Sequence, residues 1–451
     1  AGAWHGFLLP EQKAQYGAFN GPFVIAEEYG LYFATQLESL TITEQSTGKV
    51  FDWSKAESVR FAKPHQLIQR YCFESLAVEL RLSFISERTA LVTTQLVNLS
   101  TKKMALVADW RGALMERWNK VTSADKVKHL NQRHIEVDAD GIRIKHGNVR
   151  QQWDMLTDEN AEYLIKRSVI ASNVESVSGS SNYHQRANIP IGAEKSQRIY
   201  TAHSYFHNKT EKENELPLIQ AALQQPNSYL FATEKRWQSY LLAIEHLKEN
   251  DRKLALKAIN TLLSNWRSPA GAIKHQGVSP SATARWFNGF WAWDSWKHSF
   301  ALAQIAPDLA KDGIRTMYDY QISAQDPLRP QDAGMVVDAI FYNQDLDRGG
   351  EGGNWNERNT KPGLAAWAVW QIYQKTGDID FVKALFEPLL ASHLWWYRNR
   401  DHDQNGLVEY GATNHRFHNT KAGELTFKIK AHFSDLPKQV QSKCVDEQTK
   451  W

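Results

Sequence analysis

The stretch from Trp286 to Trp296 gathers four tryptophans around one carboxylate, Asp294. An indole offers a large flat apolar face and one N–H donor. A sugar ring offers a C–H face and a rim of hydroxyls. Trp291 and Trp293 beside Asp294 therefore suit a carbohydrate, with indoles against the ring and the carboxylate gripping hydroxyls. A carboxylate among aromatics is also a candidate acid or base, because desolvation changes its proton affinity. The plain alternative is an Asp that caps the following helix, with tryptophans that fill a helical core. Of the 17 tryptophans, ten fall between Trp266 and Trp396, and that clustering favours a sugar site.

Three further constellations carry polar chemistry. Arg329 and Asp332 stand three apart in Arg-Pro-Gln-Asp, spaced for an ion pair or for hydrogen bonds to ligand hydroxyls. From Gly349 to Pro362, four glycines let the backbone approach a ligand closely, and Trp355, Glu357 and Lys361 follow them. No Lys-Ser/Thr pair stands at the spacing of a phosphate-cradling loop. From Asp401 to Glu409, oxygen donors at Asp401, Asp403 and Asn405, a glycine, the carbonyl of Leu407 and the carboxylate of Glu409 suit calcium. Ala412 stands where a full EF-hand has its last Glu, and a polar turn after a helix reads equally well. No paired histidines have helical zinc spacing, and no nucleophile elbow is present.

Two kinds of element must position these groups. Residues 1–225 read as β: Leu76–Phe84 alternates apolar and polar, and similar runs occur at Leu40–Thr43, Ala90–Leu99, Met104–Ala108, Gly141–Lys145 and Arg198–Tyr205. Such runs at short spacing predict an antiparallel β-sandwich. Ala171–Asn188, rich in Ser and Asn, reads as a loop. Residues 226–265 read as a helical linker, with Asp251 as an N-cap. From 266 onward, helix pairs joined by long polar loops predict an (α/α)6-barrel catalytic domain, with helices at Trp296–Ile305, Leu309–Ile322, Leu364–Thr376 and Ile379–Arg400. Asp326–Gly334 and Arg348–Gly363 read as loops too polar for a core. Six helix pairs need on the order of 300 residues, so the barrel is expected to be incomplete within 266–451, and its missing C-terminal half to be a partner.

The charge is nearly balanced, 53 basic against 50 acidic residues, without a basic stripe, which argues against nucleic acid. No apolar run is long enough for a membrane-spanning helix. Cys72 and Cys444 read as free thiols.

The segments Gly2–Gly6, Asn265–Pro269, Trp293-Asp294 with Trp296, Arg329–Asp332, Gly352–Pro362 and Tyr397–Tyr410 resemble glycoside hydrolase family 63, bacterial α-glucosidases among them. The resemblance implies a β-sandwich followed by an (α/α)6 barrel. It implies exo-acting, inverting hydrolysis of α-glucosidic bonds in gluco-oligosaccharides, and a periplasmic or secreted enzyme. Asp294 then binds the non-reducing glucose. Trp291, Arg329, Asp332, Trp355, Glu357 and Lys361 match positions lining the same pocket. Asp401, Asp403, Asn405, Leu407 and Glu409 match a structural calcium loop. Ala292 replaces a proline of the family pattern. The family's general acid and base lie in later segments that this chain does not show after Glu409, where the start of an insertion is expected from about residue 411. No catalytic residue is therefore expected within the chain. Two rivals stand beside this: a non-catalytic carbohydrate-binding fragment, and another (α/α)-barrel enzyme, a phosphorylase or lyase.

Overall fold

A computed structural model describes residues 2–25, 30–114, 133–138, 141–146, 161–169, 173–175, 181–284, 287–342, 363–401 and 404–408. Two compact units emerge: Ala1–Ser268 with Ser281–Asn288, and Pro269–Pro280 with Gly289–Trp451.

The first unit holds a three-stranded antiparallel sheet, the N-terminal strand His5–Leu8 with Asn20–Ile25 and Gly30–Tyr32, and is built on two further antiparallel sheets. The larger has eight strands, in spatial order Arg133–Asp138, Gly141–His146, Glu162–Arg167, Ser196–Phe206, Thr89–Asn98, Leu76–Phe84, Gln66–Cys72 and Glu57–Lys63. The smaller has four: Asn173–Glu175, Asn182–Ile191, Met104–Ala113 and Glu38–Glu44. Alternation explains the pairing of faces. Leu76, Val78, Leu80 and Leu82 are buried while the residues between them are half-exposed. Their side chains share one core with Leu40, Ile42, Leu106, Ala108 and Ile189 of the smaller sheet, which makes the unit a β-sandwich. On the outer face of the large sheet, Leu91, Leu164, Ala202 and Phe206 bury Ile219 of the helix Lys209–Gln224.

Three readings from sequence change here. The stretch read as a loop holds the short strand Asn173–Glu175 and most of the strand Asn182–Ile191, which pairs with Met104–Ala113 along its whole length. Its alternate residues Tyr183, Gln185, Ala187, Ile189 and Ile191 are buried, but polar residues hold the outer face and mask the pattern. Helical structure begins at Lys209, within the part read as β; the sequence does not reveal this helix because it buries only Glu215, Ile219 and Ala222 and shows little apolar periodicity. Asp251 is not an N-cap. It lies in the first turn of Glu249–Ser264, after Lys248, where a carboxylate favours the positive end of the helix dipole.

Among the described residues of this unit, three histidines are buried: His5, His203 and His207. Burial is the main cause holding each neutral. It takes His5 from 6.5 down to about 3, His203 well below its ordinary value with help from the Arg167 charge, and His207 down despite the adjacent Glu211. Below the unfolded value the folded chain then binds fewer protons than the unfolded chain. Stability is full above about pH 6.5 and is lost as pH falls toward about 3. His5 alone is expected to remove about 2 kcal/mol between about pH 7 and pH 5. Urea unfolding at the two pH values measures this, and equal stabilities would contradict it.

The second unit contains the helices Ala292–Leu302, Pro307–Tyr318, Ala365–Thr376 and Ile379–Arg400. The first two pack through Trp296, Ser299 and Leu302 against Ala310, Gly313, Ile314 and Met317, all buried. At Gly377 the chain takes φ +68°, its N–H closing on the Tyr373 carbonyl at 2.7 Å. That ends one helix. Asp378 then starts the next by accepting from Phe381 N–H at 3.0 Å, and Lys311 Nζ reaches Asp378 Oδ2 at 2.7 Å, tying in the second helix.

Candidate functional site

Asp294 is the third residue of the helix Ala292–Leu302, one turn earlier than the sequence pattern suggests. Trp291 precedes the helix in extended backbone, and no side chain caps it, so Asp294 is not the N-cap. Two features fix the turn. Phe290 and Trp291 pair with Ile340 and Ala339 in a two-stranded ladder, and Ala292 N–H donates to the Asp338 carbonyl at 2.9 Å. A carboxylate in this first turn lies near the positive end of the helix dipole, a favourable place for a hydrogen-bond acceptor.

The tryptophans around it divide by burial. Trp296 is a core residue, 3% exposed, with its ring 6.0 Å from that of Tyr318. Trp291 and Trp293 are half-buried, which leaves part of each indole accessible. Lys297 Nζ lies 4.5 Å from the centre of the Trp293 ring. His298, one turn beyond Asp294, has its pKa lowered by burial, against the opposing pull of the Asp294 charge. Its Nδ1 is 3.2 Å from the Val278 carbonyl. A carbonyl only accepts, so the proton of neutral His298 sits on Nδ1.

Arg329 and Asp332 are buried, at 4% and 5% exposure, although their segment reads as too polar for a core. The turn Pro330–Asp332 brings them together, with Arg329 Nε 3.6 Å from Asp332 Oδ2. Asp332 Oδ1 accepts from Trp395 Nε1 and Asn399 Nδ2, each at 3.1 Å. Arg329 also reaches Met335 Sδ at 2.8 Å. The carboxylate is thus anchored to the helix Ile379–Arg400, and a structural ion pair is part of its work. Asp338 was not singled out from sequence. It is 1% exposed and borders the Trp291 strand through its carbonyl. The signal was there: a single acid inside the apolar run Met335–Phe341, where a buried charge needs a reason.

Trp355, Glu357 and Lys361 lie outside the described residues, as do Asp403 and Glu409. The rest of the proposed calcium loop is described. Asp401 Oδ1 accepts from Asn405 N–H at 3.0 Å and Oδ2 from Gly406 N–H at 2.9 Å. Asn405 Oδ1 accepts from Leu407 N–H at 2.7 Å. Gln404 and Gly406 both have positive φ. The loop therefore curls around Asp401, as a polar turn and a calcium loop both require. Among the described residues, no group of three or more His, Cys, Asp or Glu is placed to hold a metal, and no helix is long and apolar enough to cross a membrane.

Residues 1–238 match the family model of the N-terminal domain of the glucosidase YgjK. Residues 287–416 match that of the mannosylglycerate hydrolase MGH1-like glycoside hydrolase domain. Among solved structures, a human-microbiome protein described as a kojibiose phosphorylase is similar with a TM-score of 0.51 at 10% identity, over 86% of this chain and 54% of that one. This chain thus spans about half of that protein's length, and the likeness is one of fold: a sandwich followed by a helical, barrel-type region. A family GH92 α-mannosidase from Bacteroides thetaiotaomicron gives a TM-score of 0.36 at 9% identity, over 72% of this chain and 45% of that one.

Proposed function

The chain belongs to the family of the glucosidase YgjK, and from that premise we propose that it forms part of an exo-acting, inverting α-glucosidase of glycoside hydrolase family 63 type. The observation that carries the reading is Asp294 in the first turn of a helix, directly after the half-buried Trp291 and Trp293, within the stretch that matches a glycoside hydrolase domain. Asp294 accepts hydrogen bonds from hydroxyls of the terminal glucose, and Trp291 and Trp293 lie against its C–H face. Arg329, Asp332, Trp355, Glu357 and Lys361 complete the wall. The Arg329–Asp332 pair also holds that wall to the helix Ile379–Arg400.

Inversion needs a general acid on the leaving oxygen and a base that activates water, with carboxyls about 6.5–9.5 Å apart. Neither role is assigned to a residue among those described. A periplasmic or secreted location goes with the same reading. The experiment is anomer-resolved NMR of the hydrolysis of an α-linked glucose disaccharide; inversion gives β-glucose first, and glucose 1-phosphate formation would instead mark a phosphorylase.

Calcium at Asp401, Asp403, Asn405, the Leu407 carbonyl and Glu409 fits the oxygen chemistry of the loop. Its role is structural, closing the segment that follows the helix Ile379–Arg400. Chelation with EGTA is expected to lower the melting temperature by several degrees, with recovery on adding calcium but not magnesium. An unchanged melting temperature would contradict the assignment.

A further inference from the structure

We propose that the sandwich unit carries a second ligand site, one that takes a small anion-bearing ring such as an acidic or phosphorylated monosaccharide. A cavity of about 440 Å³ opens within this unit, lined by the N-terminal strand, the turn at Lys63–Leu67, the helix Pro226–Leu242 and residues 263–267. That volume lies in the range of about 300–1,000 Å³ usual for small-molecule sites. Three cations line it, Lys63, Arg236 and Arg267, and no Asp or Glu does among the described residues.

The cations are unusually placed. Arg267 is 3% exposed. One of its terminal nitrogens donates to the Ser264 carbonyl at 3.1 Å and also to the Trp266 carbonyl, while its Nε has no acceptor. Arg236 Nε is likewise buried without an acceptor, and its guanidinium lies 6.0 Å from the Trp266 ring centre. A buried guanidinium costs free energy unless it is paired, and carbonyls alone do not neutralise it. Burial brings Arg267 down to about 9, which leaves it charged at neutral pH. The acids that act on this region do so from outside the lining: Glu87 on Arg236 and Glu234 on His65. Trp237 and Phe7 supply apolar wall for the flat face of a ring. These cations and this wall together fit a negative group carried on something with an apolar face.

The test is titration of the protein with glucuronate, glucose 6-phosphate, inorganic phosphate and neutral glucose, followed by calorimetry and by the fluorescence of Trp237 against a Trp237→Phe control. At least one charged sugar should bind saturably and more weakly as salt rises. Arg236→Met should weaken binding at least tenfold, and the exposed Lys63→Met several-fold, with melting temperatures near that of the parent. Asp294→Asn should bind the charged sugar unchanged, which separates this site from the proposed glucose site. Inorganic phosphate binding with the same dependence on Arg236 supports the anion-binding part. Failure of both charged sugars to bind, or binding indifferent to Arg236 and Lys63, would overturn the proposal.

Discussion

Asp294→Asn is expected to lower kcat/KM on an α-linked glucose disaccharide by roughly 100-fold or more, measured in the enzyme with its complete barrel. A carboxylate accepting from two sugar hydroxyls makes two hydrogen bonds to a charged group, each worth about 1.5–3 kcal/mol. Asn keeps the shape and one acceptor but loses the charge and turns the other acceptor into a donor. The structural alternative makes a different forecast. If Asp294 served only the helix start, Asn would cost about 0.3–1 kcal/mol of stability and leave the rate alone. Kinetics and thermal unfolding of the same variant decide between the two. A parental kcat/KM would remove Asp294 from the substrate site.

Gly334→Ala is expected to destabilise the second unit by about 3–5 kcal/mol. Gly334 has φ +98°, and a Cβ there would stand 2.3 Å from the Ala391 carbonyl oxygen and 3.3 Å from Trp395 Cβ. The segment from Arg329 to Gly334 lies directly on the helix Ile379–Arg400, and a methyl would push it away. That movement would pull Asp332 from Trp395 and Asn399. Gly377→Ala is the control. Gly377 has φ +68° but nothing within 4 Å of an added Cβ, so it should cost only the backbone strain, about 1 kcal/mol. Equal losses from both variants would show that the contact with the helix does not matter.

The sequence declared those elements whose burial leaves a period. Leu76–Phe84 alternates because one face meets a core and the other does not, and its limits are those of the observed strand. Ile379–Arg400 likewise matches to the residue. Asn182–Ile191 escaped because a strand with a polar outer face, set in Ser- and Asn-rich flanks, looks like a loop until its partner Met104–Ala113 is known.

The site was legible in its chemistry more than in its anchoring. Asp294 and its indoles stand together in sequence, so their types alone point to a sugar. The burial of Arg329 and Asp332 depends on Trp395, 63 residues beyond Asp332, and no local pattern carries that information. Trp296 follows the plain alternative for these tryptophans: tertiary packing makes it a core residue, while Trp291 and Trp293 stay half-buried.

The central claim, an inverting α-glucosidase that grips its sugar at Asp294, is tested most directly by proton NMR of the anomeric signals in the first minutes of turnover. The complete enzyme, acting on an α-linked glucose disaccharide without phosphate, should release β-glucose first, with α-glucose growing in later by mutarotation. The initial release of α-glucose, or sugar release that requires inorganic phosphate, would contradict the account.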